Sequence, residues 1–220
     1  MPSSSSSATY TLVYTASNGF LTTTVTRTVN VVDTIPPVLT LLGDAAITLE
    51  LGATWTDPGA TASDTRAGNL TGVIVVSGAV NPNVVGGYTL TYSVSDGYNT
   101  TTATRTVSVV DTTAPTLSAV TVTPAVIPVP NHKMIDVLLA YSVSDLGGTP
   151  SCSVAITSNE PINGPNDGNT TVDWQVLSPT RVRVRAERSG LGSGRIYTIA
   201  VTCTDPSLNA VTKTTTVTVQ

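Results

Sequence analysis

Polar and apolar residues alternate with a period of two through most of this chain. In YTLTYSVSD, the side chains of Tyr88, Leu90, Tyr92 and Val94 fall on one face and those of Thr89, Thr91 and Ser93 on the other. The run TATRTVSVV that follows sets Ala103, Arg105, Val107 and Val109 against polar neighbours in the same way. Successive side chains of a strand point to opposite faces, so this pattern predicts half-buried strands, and the glycine-bearing turn between the two runs predicts a hairpin. RVRVRAER repeats the alternation, with Arg181, Arg183 and Arg185 on one face and Val182, Val184 and Ala186 on the other.

The hairpin has an echo. ATYTLVYTASNG from Ala8 returns as GGYTLTYSVSDG from Gly86 at a spacing of 78 residues. Tyr10 falls on Tyr88, Leu12 on Leu90, Tyr14 on Tyr92, Arg27 on Arg105, Val29 on Val107 and Asp33 on Asp111. A fixed period of this kind marks an array of domains. The unit closes with VVDTIPP at 31–37 and VVDTTAP at 109–115, where proline stops the ladder. The reading divides the chain into 1–33, a Ser-rich start plus the closing hairpin of an incomplete repeat; 34–112, one complete unit; and 113–220, a second unit of another kind. Short Pro-containing junctions leave neighbouring domains little rotational freedom, so a stiff array is expected. A lone hairpin is marginal in water. This one is expected to pack on the next domain or to fill a gap in another chain.

Residues 33–111, with DTIPPVLTLLGDAAITLELGATWTDPGATASD and NLTGVIVVSGAVNPNVVGGYTLTYSVSDGYNTTTATRTVSVVD, resemble a bacterial immunoglobulin-like repeat found in tandem on surface and secreted proteins. The last unit resembles another Ig-like module that often closes such arrays, through PNHKM at 130–134, SNEPING at 158–164, DGNTTVDW at 167–174 and RAERSGLGSGRIYTIAVTCTD at 185–205. It departs from that pattern in having no Trp beside PNHK. The resemblance implies tandem Ig-like β-sandwich domains, extracellular at the cell surface, with no catalytic activity. The short alternating strands and regular turn signals agree with an all-β sandwich, and Tyr88 reads as a core or corner tyrosine.

Composition narrows the classes. Of 220 residues only 11% are charged, and the formal net charge is −4, which offers no footprint for nucleic acid. No stretch has the length and apolarity of a membrane span. MPSSSSSATY lacks the basic and apolar regions of a secretory signal, so an excised piece of a longer exported protein is expected. Cys152 and Cys203 fit neither a CxxC redox site nor a zinc knuckle; a disulfide is the expectation, with free thiols the alternative.

Candidate chemistry is confined to binding. Asp33 and Asp111 at the junctions, and Asp57, Asp64 and Asp96 in loops, are hard oxygen donors of the kind calcium takes, although no EF-hand spacing is present. Asp145, Asp167, Asp173 and Glu160 are a second such set, and solvated turn residues are the alternative for both. Arg181, Arg183 and Arg185 form a ladder suited to acidic glycans, or to internal pairing with acids such as Glu187 or Asp173. Trp174 is either a sugar platform or a core residue. His132, the single histidine, has no nucleophile-elbow serine to serve and is expected to be hydrogen-bonded in a turn. The expected function is a non-enzymatic stalk or distal module of a surface protein. The alternatives are a filament subunit assembled by strand complementation from identical subunits, and a carbohydrate-binding module.

Overall fold

The computed structural model describes residues 8–162, 168, 170, 172–190 and 194–220. The chain divides into two compact units, Met1–Val110 and Asp111–Gln220.

Unit 1 begins with β1 (Ala8–Ser17) and β2 (Thr22–Val31), which pair antiparallel with each other and, among the described residues, with no other strand. Its sandwich follows. β3 (Val38–Leu41), β5 (Ala60–Asp64) and β6 (Gly68–Asn69) make one sheet, in the order β3-β5-β6. β4 (Ala46–Glu50), β9 (Thr100–Val110), β8 (Gly86–Ser95) and β7 (Val75–Ser77) make the other, in that order. Leu90, Tyr92, Val94, Val107 and Val109 carry the core from β8 and β9, and Ala62 and Leu51 are buried with them. The period-two reading therefore holds where a second sheet exists to receive the apolar face. Tyr88 is half-buried and donates its hydroxyl to the carbonyl of Val84 at 2.8 Å, which ties the start of β8 to the preceding turn.

Unit 2 is a larger sandwich. After β10 (Thr116–Leu117), β11 (Thr121–Thr123), β13 (Met134–Ala140), β17 (Arg181–Arg185) and β16 (Trp174–Ser178) form one sheet. β12 (Val126–Ile127), β19 (Ala210–Val219), β18 (Arg195–Thr204) and β15 (Ser151–Ser158) form the opposite one, and β14 (Val143–Ser144) pairs with β10. Val137, Leu139, Val182 and Val184 face Tyr197, Ile199, Val201, Val217 and Val219 in a single buried cluster. Cys152 and Cys203 stand opposite each other in the β15–β18 register and are joined by a disulfide, with sulfurs 2.05 Å apart.

Of the two courses expected for the hairpin, packing on the next domain is the one it does not take. Its face of Tyr10, Leu12 and Tyr14 has no hydrophobic cover among the described residues: these residues are 45–53% exposed. Their counterparts Leu90 and Tyr92 are 4% and 0% exposed, in the same cross-strand register. The physical reason is one of supply. The strands that cover β8 and β9 exist once in unit 1, and β8 and β9 already occupy them.

Candidate functional site

Two groups of three aspartates gather where turns meet. In unit 1, Asp33, Asp64 and Asp96 bring one carboxylate oxygen each to within 4.8 Å of the others. Every member is set by its own turn, as expected for Asp at chain reversals. Asp33 Oδ1 accepts the Ile35 N–H at 3.1 Å; Asp64 Oδ1 accepts those of Arg66 and Ala67 at 2.7 and 2.8 Å. Asp96 Oδ1 accepts from Tyr98 and Asn99 at 2.7 and 2.6 Å in the β8–β9 turn. The Asn99 backbone N–H, ahead of the other donors to it, holds the Asp96 carboxyl below its usual range. Asn99 Nδ2 stitches the group together, donating to Asp96 Oδ2 and to the carbonyls of Asp33 and Ile35. Arg66 Nε lies 3.6 Å from Asp33 Oδ2.

Unit 2 repeats the device with Asp111, Asp145 and Asp205, again within 4.8 Å. Asp111 Oδ1 accepts from Thr113 N–H at 3.2 Å and Asp145 Oδ1 from Gly147 N–H at 2.7 Å. Asp205 takes both donors of Asn209, the backbone at 2.9 Å and Nδ2 at 3.0 Å, and Nδ2 also reaches the Asp111 carbonyl at 3.1 Å. Asp205 was not among the candidates read from the sequence. Its signal is an Asp followed within a few residues by Asn in the last turn, SDGYN in one unit and TDPSLN in the other.

Other predicted residues are placed elsewhere. Asp57 does not join the unit 1 group. It pairs with Arg105, which is fully buried, and accepts the Tyr92 hydroxyl at 2.6 Å. Arg105 also donates to Tyr92 Oη at 2.9 Å and to the carbonyls of Asp44, Gly59 and Leu42. Burial pushes the Asp57 carboxyl up, but the Tyr92 and Gly59 hydrogen bonds and the Arg105 charge outweigh it and hold the group below its ordinary value. Asp173 and Glu160 likewise belong to a buried centre, around Arg195, whose guanidinium lies 2.9 Å from Asp173 and 3.6 Å from Glu160. Asp167 lies outside the described residues.

The arginine ladder is internally paired. Arg181 and Arg183 both donate to Asp136 on the neighbouring strand β13, at 2.6 Å each, and these bonds hold the Asp136 carboxyl below its ordinary value. Arg185 turns to the carbonyls of Val172 and His132. Asp136, rather than Asp173, is thus the acid that holds the first two arginines. Trp174 packs against the core cluster, edge-on to Tyr197 at 6.2 Å between centroids. His132 Nδ1 is 3.2 Å from Glu187 Oε2.

Paired β-sheets with these connections define an immunoglobulin-like β-sandwich protein. Residues 39–109 match the family described as bacterial surface protein, Ig-like domain. Among solved structures, the lipoprotein BT2262 of Bacteroides thetaiotaomicron is 18% identical, with 84% of this chain and 100% of that one covered and a TM-score of 0.31. Mouse protocadherin-24 EC1-3 is 12% identical, covering 96% and 78%, at 0.39. Human protocadherin-24 EC1-2 is 12% identical, covering 84% and 98%, at 0.34. No curated protein matches the sequence. The family match supports an extracellular structural or adhesion-type module at a bacterial surface, a class that is typically non-enzymatic. Among the described residues, no helix is long and apolar enough to cross a membrane.

Proposed function

We propose that the chain is a mechanical module of a bacterial surface protein, a stalk segment built to stay folded under tension. One observation carries this reading: in both units an early strand pairs in parallel with the last strand. β4 runs parallel to β9 over Ala46–Glu50 against Thr106–Val110, and β12 runs parallel to β19. Tension enters a parallel pair at the start of one strand and the end of the other, so it slides the strands along each other. Every bond of the ladder is then loaded together, whereas an antiparallel hairpin pulled at its open end breaks one bond at a time. The ladder is extended by Leu51 N–H, which donates to the Val110 carbonyl at 2.7 Å. Leu49 has the same parity, so Leu49→Pro removes a donor from the centre of the clamp. In single-molecule pulling of the whole chain, Leu49→Pro is expected to lower the rupture force of unit 1 and leave that of unit 2 unchanged. An unaltered unit 1 force contradicts the reading.

The uncovered hairpin favours a second role, assembly. Its occupant would be a segment with the chemistry of residues 34–85, because that segment covers the same side chains in β8 and β9. It would have to supply apolar residues against Leu12 and Tyr14 and a carboxylate, as Asp57 does, for Arg27. The test is a graft of residues 34–85 ahead of Ala8 in the full chain. Amide exchange across β1 and β2 is expected to slow toward that of β8 and β9. Unchanged exchange, or concentration-dependent self-association of the ungrafted chain through this hairpin, contradicts that occupant.

A further inference from the structure

We infer that the two aspartate groups are divalent-cation sites, with calcium as the fitting ion, and that Asp111, Asp145 and Asp205 form the tighter one. A cluster of carboxylates alone would not carry this. The independent observation is a buried oxygen with nothing to bind, found once in each group. Asp64 is 8% exposed and Asp111 9%, and in both Oδ2 is buried without a hydrogen-bond partner. Each Oδ1 is engaged by backbone N–H groups of its own turn, so the turn fixes the carboxylate and leaves the second oxygen to the group. A desolvated carboxylate oxygen beside two further carboxylates is unfavourable unless a cation or proton answers it.

Neighbouring backbone confirms the close approach. A Cβ on Gly147 would stand 2.1 Å from Asp111 Oδ2 and 3.1 Å from Asp145 Oδ1. Only a residue without a side chain lets the Asp145 turn close over Asp111 in this way. All the donors are hard oxygens, which select calcium or magnesium over softer metals. Calcium takes many oxygens at about 2.3–2.6 Å in flexible geometry, whereas magnesium demands a near-ideal octahedron and keeps its waters, so three turn carboxylates held within 4.8 Å suit calcium. Asn99 and Asn209 serve as positioning residues, each tying the turn aspartate to the segment that leads into its unit.

The two sites differ in charge. Arg66, 3.6 Å from Asp33 Oδ2, already answers part of the unit 1 group. Among the described residues no Lys or Arg forms an ion pair with Asp111, Asp145 or Asp205, so that group keeps its full appetite for a cation. Binding would clamp the segments holding Asp33 and Asp111 to the loops of their own units. This inference stands apart from the mechanical reading and survives its failure.

The experiment titrates the chelator-treated, full chain with calcium chloride and, separately, magnesium chloride, following heat and thermal melting. Calcium is expected to bind saturably and to raise the melting temperature of unit 2 by about 5 °C or more, with a smaller effect from magnesium. Asp111→Asn abolishes the tighter site, Asp64→Asn the weaker, and Arg66→Gln tightens the weaker several-fold. In chelator, Asp111→Asn is expected to melt no lower than the parent, because it removes one of three crowded charges. Gly147→Ala retains every carboxylate and is expected to weaken the unit 2 site at least tenfold with an unchanged circular dichroism spectrum. The inference is overturned if calcium up to about 10 mM, well above the affinities of extracellular calcium modules, changes neither heat nor melting. It is equally overturned if the Asp64→Asn, Asp111→Asn double variant responds like the parent.

Discussion

Arg27 and Arg105 occupy the same place in the same hairpin pattern, yet one is in water and the other has no solvent exposure at all. The side chain does not decide this; its surroundings do. Arg105 is tolerated inside because Asp57, Tyr92 and three backbone carbonyls use its donors. Arg105→Ala leaves those acceptors unanswered and is expected to destabilise unit 1 by about 3–5 kcal/mol in denaturant unfolding. Arg27→Ala is expected to change stability by no more than about 0.5 kcal/mol, as at other exposed sites. A large effect at Arg27 would mean that the hairpin is covered in solution. The tyrosines beside the buried arginines make an alkaline prediction. Burial, reinforced by the Asp57 carboxylate and opposed by Arg105, pushes Tyr92 up to about 12. Burial does the same to Tyr197, with Arg195 opposing and Asp173 and Glu187 adding. In the unfolded chain both ionise near pH 10. Between about pH 10 and 12 the folded state therefore binds more protons, and stability falls as pH rises through that window. Tyr92→Phe is expected to flatten the unit 1 part of that loss; a melting temperature constant from pH 9 to 12 would contradict it. The sequence shows that Arg105 sits in an apolar alternation. It does not show that Asp57, 48 residues earlier, is its partner, and the loop position of Asp57 invites the calcium reading instead.

At the scale of elements, strands and hairpins were legible because alternation and turn chemistry are local. The β8–β9 register follows from the turn at Asp96–Asn99, and the echo at 78 residues carries the same register to β1 and β2. Pairings between distant strands were not legible. Asp136 faces Arg183 only because β13 and β17 are neighbours, the two residues standing 47 positions apart in the sequence. Asp205 was hidden for the same reason: its partners Asp111 and Asp145 arrive from other loops. The disulfide was legible as an option from count and spacing, and its place opposite in β15 and β18 needed the sheet order. Elements also carry the mechanical reading. Parallel pairing of β4 with β9 cannot be read from alternation, which is identical for parallel and antiparallel strands.

For the whole molecule, the two units use different cores but the same two devices: a parallel terminal clamp and a turn-built aspartate group. Unit 2 adds the disulfide, which spans a sequence separation of 51 residues and keeps that loop from extending under load. Under the proposed role, tension in each unit is carried as shear between parallel strands. The most direct measurement pulls unit 1 in two directions within the full chain. One pull is through the chain ends. The other is through handles at Glu50→Cys and Val110→Cys, which face each other at one end of the β4–β9 pair, so that force peels the ladder bond by bond. A rupture force several-fold higher through the ends than through the handles is expected. Equal forces in the two directions would contradict it.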